Sequence, residues 1–283
     1  MRDESPYDGV VFAGGGCRCV WQVGFWQEAA PAIGLAPRVV SAVSAGAAMA
    51  CAIFADAIDD MLASFTAYAA ANRRNIYPLN AMRGAPLFPH AGIYRATVLN
   101  NLDAARLARL HAGPDIRVLI ARVPPRLGPH SGVLVALLAY QAEQLLRRGL
   151  HGELGRQAGF QPEVISIRSC GTPEDLTDLV LQPSCTPPFT PVMHRDGRPV
   201  LDGGLIDSVP VASIDDSRRT LVLLTRHYAP RDIPRLAGRD YACPSAPVPI
   251  YKWDYTSPAR LQATYDLGRR DGESFARTFR CNA

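Results

Sequence analysis

The sequence predicts an α/β protein: a three-layer α/β/α sandwich around a mainly parallel sheet. Three observations carry this prediction. Short apolar runs alternate with helical patterns between Gly9 and Phe54, both early strands end in sharp turns of small residues, and the 283-residue chain has an ordinary globular composition, with 48% hydrophobic and 20% charged residues. Strand–helix–strand units of this kind give parallel neighbours joined by right-handed crossovers. A chain of this size buries a core without support from disulfides or metals.

The first strand and helix begin at Gly9. Residues Gly9 to Ala13 form an apolar run that ends in three glycines, which predicts a buried strand followed by a turn. Apolar residues then recur at helical spacing from Arg18 to Ala32, and Gly34 is a stop signal. A β-branched run from Pro37 to Val43 and a helix of small residues from Ala45 to Phe54 repeat the pattern. The four elements therefore predict a βαβα unit.

The rest of the chain continues the alternation of helices and strands. We find no repeat, low-complexity linker or shift in composition, so residues 1–283 are predicted to be a single domain, with its motif-bearing core at about 8–225 and an irregular segment and helix at 226–283. The predicted elements are a helix over Ile58–Asn72, a loop or lid over Asn75–Gly92, a helix over Arg95–His111, a strand over Ile116–Val123, a loop over Pro124–Gly132, an amphipathic helix over Val133–Leu150, a strand over Val164–Ile167, a helix capped by Thr172, strands at Pro199–Leu201 and Thr220–Thr225, an irregular stretch over Pro230–Pro249 and a helix over Ser257–Phe279.

Composition and charge exclude several classes of protein. The net charge of +4 is too small to indicate a nucleic-acid-binding surface. The seven cysteines are odd in number and contain no C-x-x-C pair, so neither a disulfide framework nor a zinc site is predicted, and no metal or organic cofactor is expected. The N-terminal residues are polar, without the apolar region of a signal peptide, and no apolar run is a convincing membrane span. The expected location is the cytoplasm, with peripheral membrane contact compatible with the charge.

A candidate nucleophile follows the second strand. Ser44 lies in Ala42-Val43-Ser44-Ala45-Gly46, between a β-branched run and a helix of small residues. Small neighbours two positions before and after the serine permit a strained turn that lifts the hydroxyl clear of the sheet and points it at the helix N-terminus. The same residues also fit a serine that only caps the helix.

A glycine-rich turn follows the first strand. Gly14, Gly15 and Gly16 leave backbone N–H groups able to face a phosphate or the oxyanion of an acyl-transfer intermediate. A dinucleotide fingerprint would need glycine at Cys19, and the Gly-Lys-Ser/Thr of a P-loop is absent. A plain glycine turn is the remaining alternative.

The third candidate is Asp202-Gly203-Gly204, which follows a short apolar strand. An aspartate before two glycines bends the chain sharply and can present its carboxylate into a cleft. A simple turn is again the alternative.

Together the three motifs are more specific than any one of them. A glycine loop, a serine turn at the end of the next strand and an Asp-Gly-Gly far along the chain, in this order, resemble the patatin-like phospholipase family. The family motifs are G-G-G-x-R-G, G-x-S-x-G and D-G-G or D-G-A. Here Gly14 to Arg18 match the first, Ser44 with Gly46 the second, and Asp202 to Gly204 the third, within a resemblance that spans about residues 8–225.

Other positions support or qualify the resemblance. Gly92 to Arg95 and the proline-rich stretch 184–192 are similar to family segments, whereas Cys19 and Ala42 replace motif glycines and Ser208 stands where the family often has asparagine. Both replacements of glycine are small, so we expect the turns to survive. A slower or inactive enzyme is the alternative.

The resemblance implies a lipid acyl hydrolase of the phospholipase A type, without a cofactor. Its substrate would be a phospholipid or other lipid ester at a peripheral membrane or micelle surface, and the lid over 75–92 would carry the apolar contacts, through Ile76, Tyr77, Leu79, Met82, Leu87 and Phe88. The implied site has Ser44 as nucleophile and Asp202 as base, an oxyanion loop of Gly14, Gly15, Gly16, Cys17 and Arg18, and supporting glycines at Gly46, Gly203 and Gly204.

Three alternatives stay open on the sequence. His227 follows Asp202 at the end of a predicted strand, so a Ser-Asp-His triad is possible in that chain order. A serine hydrolase acting on soluble esters or thioesters is the second alternative, and a catalytically inactive lipid-binding protein is the third. The remaining histidines lie in predicted loops or helix ends and are expected to be solvated or satisfied in the core: His90, His111, His130, His151 and His194.

Overall fold

The computed structural model describes residues 5–124 and 154–282. The strands are β1 (Gly9–Phe12), β2 (Val39–Val43), β3 (Asp115–Arg122), β4 (Gln161–Ser166), β5 (Met193–Arg195), β6 (Arg198–Asp202), β7 (Thr220–Leu223) and β8 (Arg239–Ala242). The helices are α1 (Val20–Ile33), α2 (Ala45–Phe54), α3 (Ile58–Ala71), α4 (His90–Asn101), α5 (Ala104–Ala112), α6 (Leu154–Gln157), α7 (Pro173–Leu181) and α8 (Pro258–Asn282).

One sheet organises the described residues. Its order is β5-β6-β3-β2-β1-β7-β8, and β4 pairs with β3 outside this path. Strands β3, β2, β1, β7 and β8 run parallel, whereas β4, β5 and β6 form antiparallel pairs. The predicted α/β class with a mostly parallel sheet flanked by helices is therefore confirmed.

Strands β2 and β6 pair with successive parts of the same edge of β3. Strand β2 pairs with β3 as far as Val43, which lies opposite Leu119. At the next position, Ile120 pairs with β4 on one edge and with Asp202 on the other. Since β4 occupies the first edge, β6 must take the same edge as β2, and the two strands meet end to end. This register brings Asp202 to the end of β2.

The two faces of the sheet are covered differently. Alternate residues of β1 and β2, such as Val10, Phe12 and Val40, belong to a large apolar cluster with α1, α2 and α7. The residues between them, such as Val11 and Val39, face a short 3₁₀ turn at Val211–Ile214. Strands buried on both faces explain the continuous apolar runs in the sequence.

Helices α1 and α8 pack with their backbones in contact. A Cβ atom added at Gly24 would lie 2.2 Å from the Tyr265 carbonyl oxygen, and one at Gly268 would lie 2.2 Å from that of Trp21. The C-terminal helix is thereby fixed against the first helix of the sheet core. No helix in the described ranges has the length and apolarity needed to cross a membrane.

Several predicted elements differ in detail. The helix expected over Arg95–His111 is two helices. The first, α4, ends at Asn101, and Asp103 caps the second, α5, by accepting a hydrogen bond from the Arg106 amide. The loop predicted over 75–92 already contains the start of α4 at His90, and β8 lies inside the stretch predicted to be irregular. The predicted loop after Pro124 and the helix over 133–150 lie outside the described residues.

Candidate active site

Ser44 occupies a strained turn between β2 and α2. Its φ of 54° and ψ of −141° are rare for a residue with a side chain, and the residue is only 4% exposed. Gly46 lets the first turn of α2 approach β1, because a Cβ there would lie 2.6 Å from the Phe12 carbonyl oxygen. The predicted strand–turn–helix is confirmed, and it places Ser44 beside the glycine loop at the carboxyl ends of neighbouring strands.

The Asp202 carboxylate is directly hydrogen-bonded to Ser44. Ser44 Oγ donates to Asp202 Oδ2 at 2.9 Å, and the Gly204 amide donates to Oδ1 at 2.7 Å. Asp202 is 5% exposed. Gly203 allows the turn to lie on β3, since a Cβ there would be 2.1 Å from the Leu119 carbonyl oxygen. One carboxylate oxygen is thus fixed by backbone while the other receives the serine hydroxyl.

Thr186 is a site residue that the sequence did not reveal. Its Oγ1 lies 3.2 Å from Asp202 Oδ2, and the Cys185 carbonyl oxygen accepts the Asp202 amide at 2.8 Å. The similarity of stretch 184–192 to a family segment was the only signal, and it did not single out a threonine. Through these two hydrogen bonds, the proline-rich stretch lies against Asp202.

We expect Thr186→Val to lower the kcat of this site about fivefold, because the isosteric side chain removes one hydrogen bond of about 1 kcal/mol that orients Asp202. KM should change less than about twofold, since Thr186 does not line the apolar cavity described below. Steady-state kinetics check this, with Thr186→Ser as the matched variant that retains the hydroxyl. Equal losses in both variants would contradict an orienting role.

The glycine loop is held in place by hydrogen bonds of two of its backbone amides. The Gly14 amide donates to the Ser208 carbonyl oxygen at 3.0 Å, and the Cys17 amide donates to that of Lys252 at 3.0 Å. No backbone acceptor is found in residues 5–124 and 154–282 for the amides of Gly15 and Gly16. The amides of Gly14 and Cys17, which are among the predicted donors, are therefore already engaged in backbone hydrogen bonds.

Two side chains brace this loop. Arg18 Nε donates to the Gly15 carbonyl oxygen at 3.3 Å, and Thr225 Oγ1 donates to that of Gly14 at 2.7 Å. Gly16 has a φ of 58°, the left-handed region that favours glycine. The carbonyl oxygens of Gly14 and Gly15 therefore each accept a hydrogen bond from a polar side chain.

The two replaced motif glycines are accommodated. Ala42 is a fully buried residue of β2, paired with Phe12 and Val118. Cys19 is also fully buried, and its Sγ lies 3.6 Å from the Ala13 carbonyl oxygen. Burial raises the pKa of Cys19 to about 12 and raises that of Cys17 as well, so both thiols stay protonated at neutral pH and neither is an activated nucleophile.

Within residues 5–124 and 154–282, no imidazole lies between the Ser44 hydroxyl and the Asp202 carboxylate. His227 is exposed, with Nδ1 2.9 Å from the Pro244 carbonyl oxygen, whereas Ser44 and Asp202 contact each other directly. Two other aspartates near Asp202 in the sequence have different partners: Asp207 accepts a hydrogen bond from the Val209 amide, and Asp196 forms an ion pair with Arg122. His130 and His151 lie outside the described residues. Among the expected satisfied histidines, His90 is buried against aromatic rings, and burial lowers its pKa.

An apolar cavity that is open to solvent begins beside the glycine loop. One face of α2 lines it at i, i+3, i+4 and i+7, starting at the position after Ser44. These residues are Ala45, Ala48, Met49 and Ala52. Helix α3 contributes Met61 and Phe65, and α4 contributes Tyr94. The arrangement brings together a serine hydroxyl, an adjacent carboxylate, the backbone of the glycine loop and an apolar cavity.

The comparison with protein-family models agrees with the motifs. The family model of the patatin-like phospholipases matches residues 10–215. The crystal structure of VipD from Legionella pneumophila is similar at 12% identity with a TM-score of 0.44, covering 96% of this chain and 67% of that one. No curated protein matches the chain. The family model spans most of the described sheet and all three motifs, and the chain belongs to the patatin-like phospholipase family.

Proposed function

We propose that this protein is a lipid acyl-ester hydrolase of the phospholipase A type, in which Ser44 is the nucleophile and Asp202 the general base. The observation that carries the proposal is the 2.9 Å hydrogen bond from Ser44 Oγ to Asp202 Oδ2 at the strained strand–helix turn. A hydroxyl that donates to a positioned carboxylate can lose its proton as it attacks. The membership of the patatin-like phospholipase family supports a lipid ester as substrate.

The reaction would proceed in two steps through an acyl-enzyme. Ser44 Oγ attacks the ester carbonyl carbon while its proton moves to Asp202, and the collapsing intermediate releases an alcohol that takes up this proton. A water molecule then attacks the acyl-serine, Asp202 accepts the proton of that water, and Ser44 recovers it as the fatty acid leaves. No group beyond the dyad is required for proton balance.

The glycine loop would stabilise the negative oxygen that forms in both steps. The amides of Gly15 and Gly16 are the donors proposed for it, while Arg18 braces the loop through the Gly15 carbonyl. The N-terminus of α2 adds a favourable dipole at the same point.

The apolar cavity would hold the acyl chain. Its α2 face runs from Ala45 to Ala52, a distance of about 10 Å along the helix axis. A slot of this length would suit an unbranched acyl chain of medium length. Small side chains on α2 keep the slot open.

We expect Ala52→Phe to shorten the chain that the enzyme accepts. The phenyl ring would fill the far end of the cavity, so kcat/KM for a 12-carbon p-nitrophenyl ester should fall about 10- to 100-fold while that for the butyrate changes less than about threefold. Ala67→Phe, on the exposed face of α3, is the matched control. Equal loss on both esters, with an unchanged melting temperature, would place the acyl chain elsewhere.

Fluorophosphonate labelling tests the proposed chemistry. We expect an adduct on Ser44 by mass spectrometry in the wild type and in His227→Ala, and its loss in Ser44→Ala and Asp202→Asn. Loss of labelling in folded His227→Ala would instead support a three-residue triad. A folded wild type that gives no adduct would favour an inactive lipid-binding protein, and a preference for monomeric over micellar esters would favour soluble substrates.

A further inference from the structure

The loop between α3 and α4 presents apolar side chains to solvent. The described part of the chain has seven exposed large hydrophobic residues, and four of them lie in this one loop. They are Ile76, Leu79, Met82 and Leu87, with exposed fractions of 50%, 69%, 86% and 39%. A concentration of this kind marks an interaction surface, whereas single exposed apolar residues need no explanation.

The same loop is positively charged and has no acidic residue. Arg73, Arg74 and Arg83 are exposed, and none of them forms an ion pair with a residue that the structure describes. Between Asp60 and Asp103 the sequence contains no aspartate or glutamate. The apolar side chains are thus flanked by unopposed positive charge, which complements an anionic surface.

The backbone of the loop holds these side chains in a defined shape. The Tyr77 amide donates to the Leu87 carbonyl oxygen at 2.8 Å and closes the loop, and the Asn80 side chain donates to the Pro86 carbonyl oxygen at 2.8 Å. Leu79 and Met82 lie on the 3₁₀ turn at Pro78–Arg83 inside this closure. The apolar tips are therefore presented in a preorganised loop.

The loop is also fastened to the segment that borders the candidate site. Asn72 donates to the Tyr255 carbonyl oxygen and Asn75 accepts the Tyr255 amide, each at 2.9 Å. Tyr255 lines the apolar cavity, and Lys252 accepts the amide of Cys17 in the glycine loop. A surface bound at the loop would thereby be held close to the cavity.

We propose that residues 73–88, the docking loop, bind the surface of an anionic phospholipid membrane. The apolar tips enter the boundary between head groups and acyl chains, and the three arginines contact anionic head groups. This inference deepens the proposed function and rests on it in one respect: docking would bring a lipid ester to the cavity. Binding itself is a property of the loop and needs no turnover.

Vesicle co-sedimentation of the Ser44→Ala protein tests the proposal without lipid hydrolysis. We expect binding to vesicles with about 30% phosphatidylglycerol in phosphatidylcholine to be at least about tenfold tighter than to phosphatidylcholine alone, and to weaken in high salt. The triple change Arg73→Gln, Arg74→Gln, Arg83→Gln should weaken binding to the anionic vesicles about 100-fold. The double change Leu79→Ser, Met82→Ser should weaken it on both vesicle types.

Matched controls remove the same groups elsewhere. Arg235→Gln, Arg270→Gln, Arg280→Gln removes three exposed arginines, and Val164→Ser, Leu236→Ser removes two exposed apolar residues. Equal effects of control and loop variants would overturn the proposal, as would equal affinity for the two vesicle types. Dimers in analytical ultracentrifugation that dissociate in Leu79→Ser, Met82→Ser would overturn it too, by assigning the surface to a second copy. Failure of the hydrolase proposal would show instead as no wild-type turnover of a soluble ester, with vesicle binding intact.

Discussion

Asp202→Asn is expected to lower kcat for ester hydrolysis by about 10³-fold while KM changes less than about threefold. The carboxylate accepts from the Gly204 amide on one oxygen and from Ser44 on the other. An asparagine has a single oxygen for these two donors. The backbone amide would keep it, and the side-chain NH₂ group would face the Ser44 hydroxyl, where it cannot take a proton.

Steady-state kinetics with a micellar lipid ester and a soluble ester measure this effect. Asp196→Asn is the matched control, because it makes the same chemical change at an exposed position whose φ of 51° asparagine tolerates well. Ser44→Ala, Asp202→Asn and the double variant should be about equally inactive, since two residues that act as one unit give non-additive losses. If folded Asp202→Asn keeps activity within about tenfold of wild type, Asp202 is not the base.

Local features of the site could be predicted from the sequence because their signals are local. The turn at Ser44 requires small neighbours, and Ala42 and Gly46 provide them on either side of the serine. The glycine loop and the Asp202 turn are equally short patterns. Each follows an apolar strand, so the carboxyl ends of β1 and β2 could be named before their neighbours in space were known.

The meeting of Ser44 and Asp202 is not readable from these local patterns. It depends on β6 pairing with β3 along the same edge as β2, starting where the pairing of β2 ends at Val43. The two residues are 158 positions apart in the sequence. An antiparallel strand on a parallel sheet has no sequence signature of its own. Only the resemblance to a family connected the two motifs, and the register now gives the physical reason.

Other differences arise where tertiary contacts decide. Leucines at helical spacing run through Asp103, so the sequence predicts a single helix, although the aspartate side chain caps a new one. Strand β8 reads Arg-Asp-Tyr-Ala and has little apolar character, yet it pairs in parallel with β7 as an edge strand. The cavity beside α2 likewise depends on how α3 and α4 pack, which the alanines of α2 alone do not reveal.

The glycine loop should be the second most sensitive point of the site. Gly16→Ala is expected to lower kcat by about 10²- to 10³-fold, the loss associated with removing one oxyanion donor. The added Cβ would lie 2.2 Å from the Lys252 carbonyl oxygen, so the loop must move, and the amides of Gly15 and Gly16 must move with it. The Cys17 amide bond to the same carbonyl would be disturbed as well.

An alanine substitution at a second glycine distinguishes the effect of moving the loop from the effect of backbone strain alone. Gly34 ends α1 with a φ of 65°, close to that of Gly16, but a Cβ there meets no atom within 4 Å. Both alanine variants should therefore lose about 1–2 kcal/mol of unfolding free energy through the left-handed conformation, with a further loss for Gly16→Ala from its overlap. Thermal unfolding and kinetics of the two proteins measured together distinguish the contributions. Because only Gly16 lies in the loop, Gly34→Ala should keep kcat within about twofold of wild type, and a comparable fall in both variants would mean that the loop amides do not stabilise the reacting oxygen.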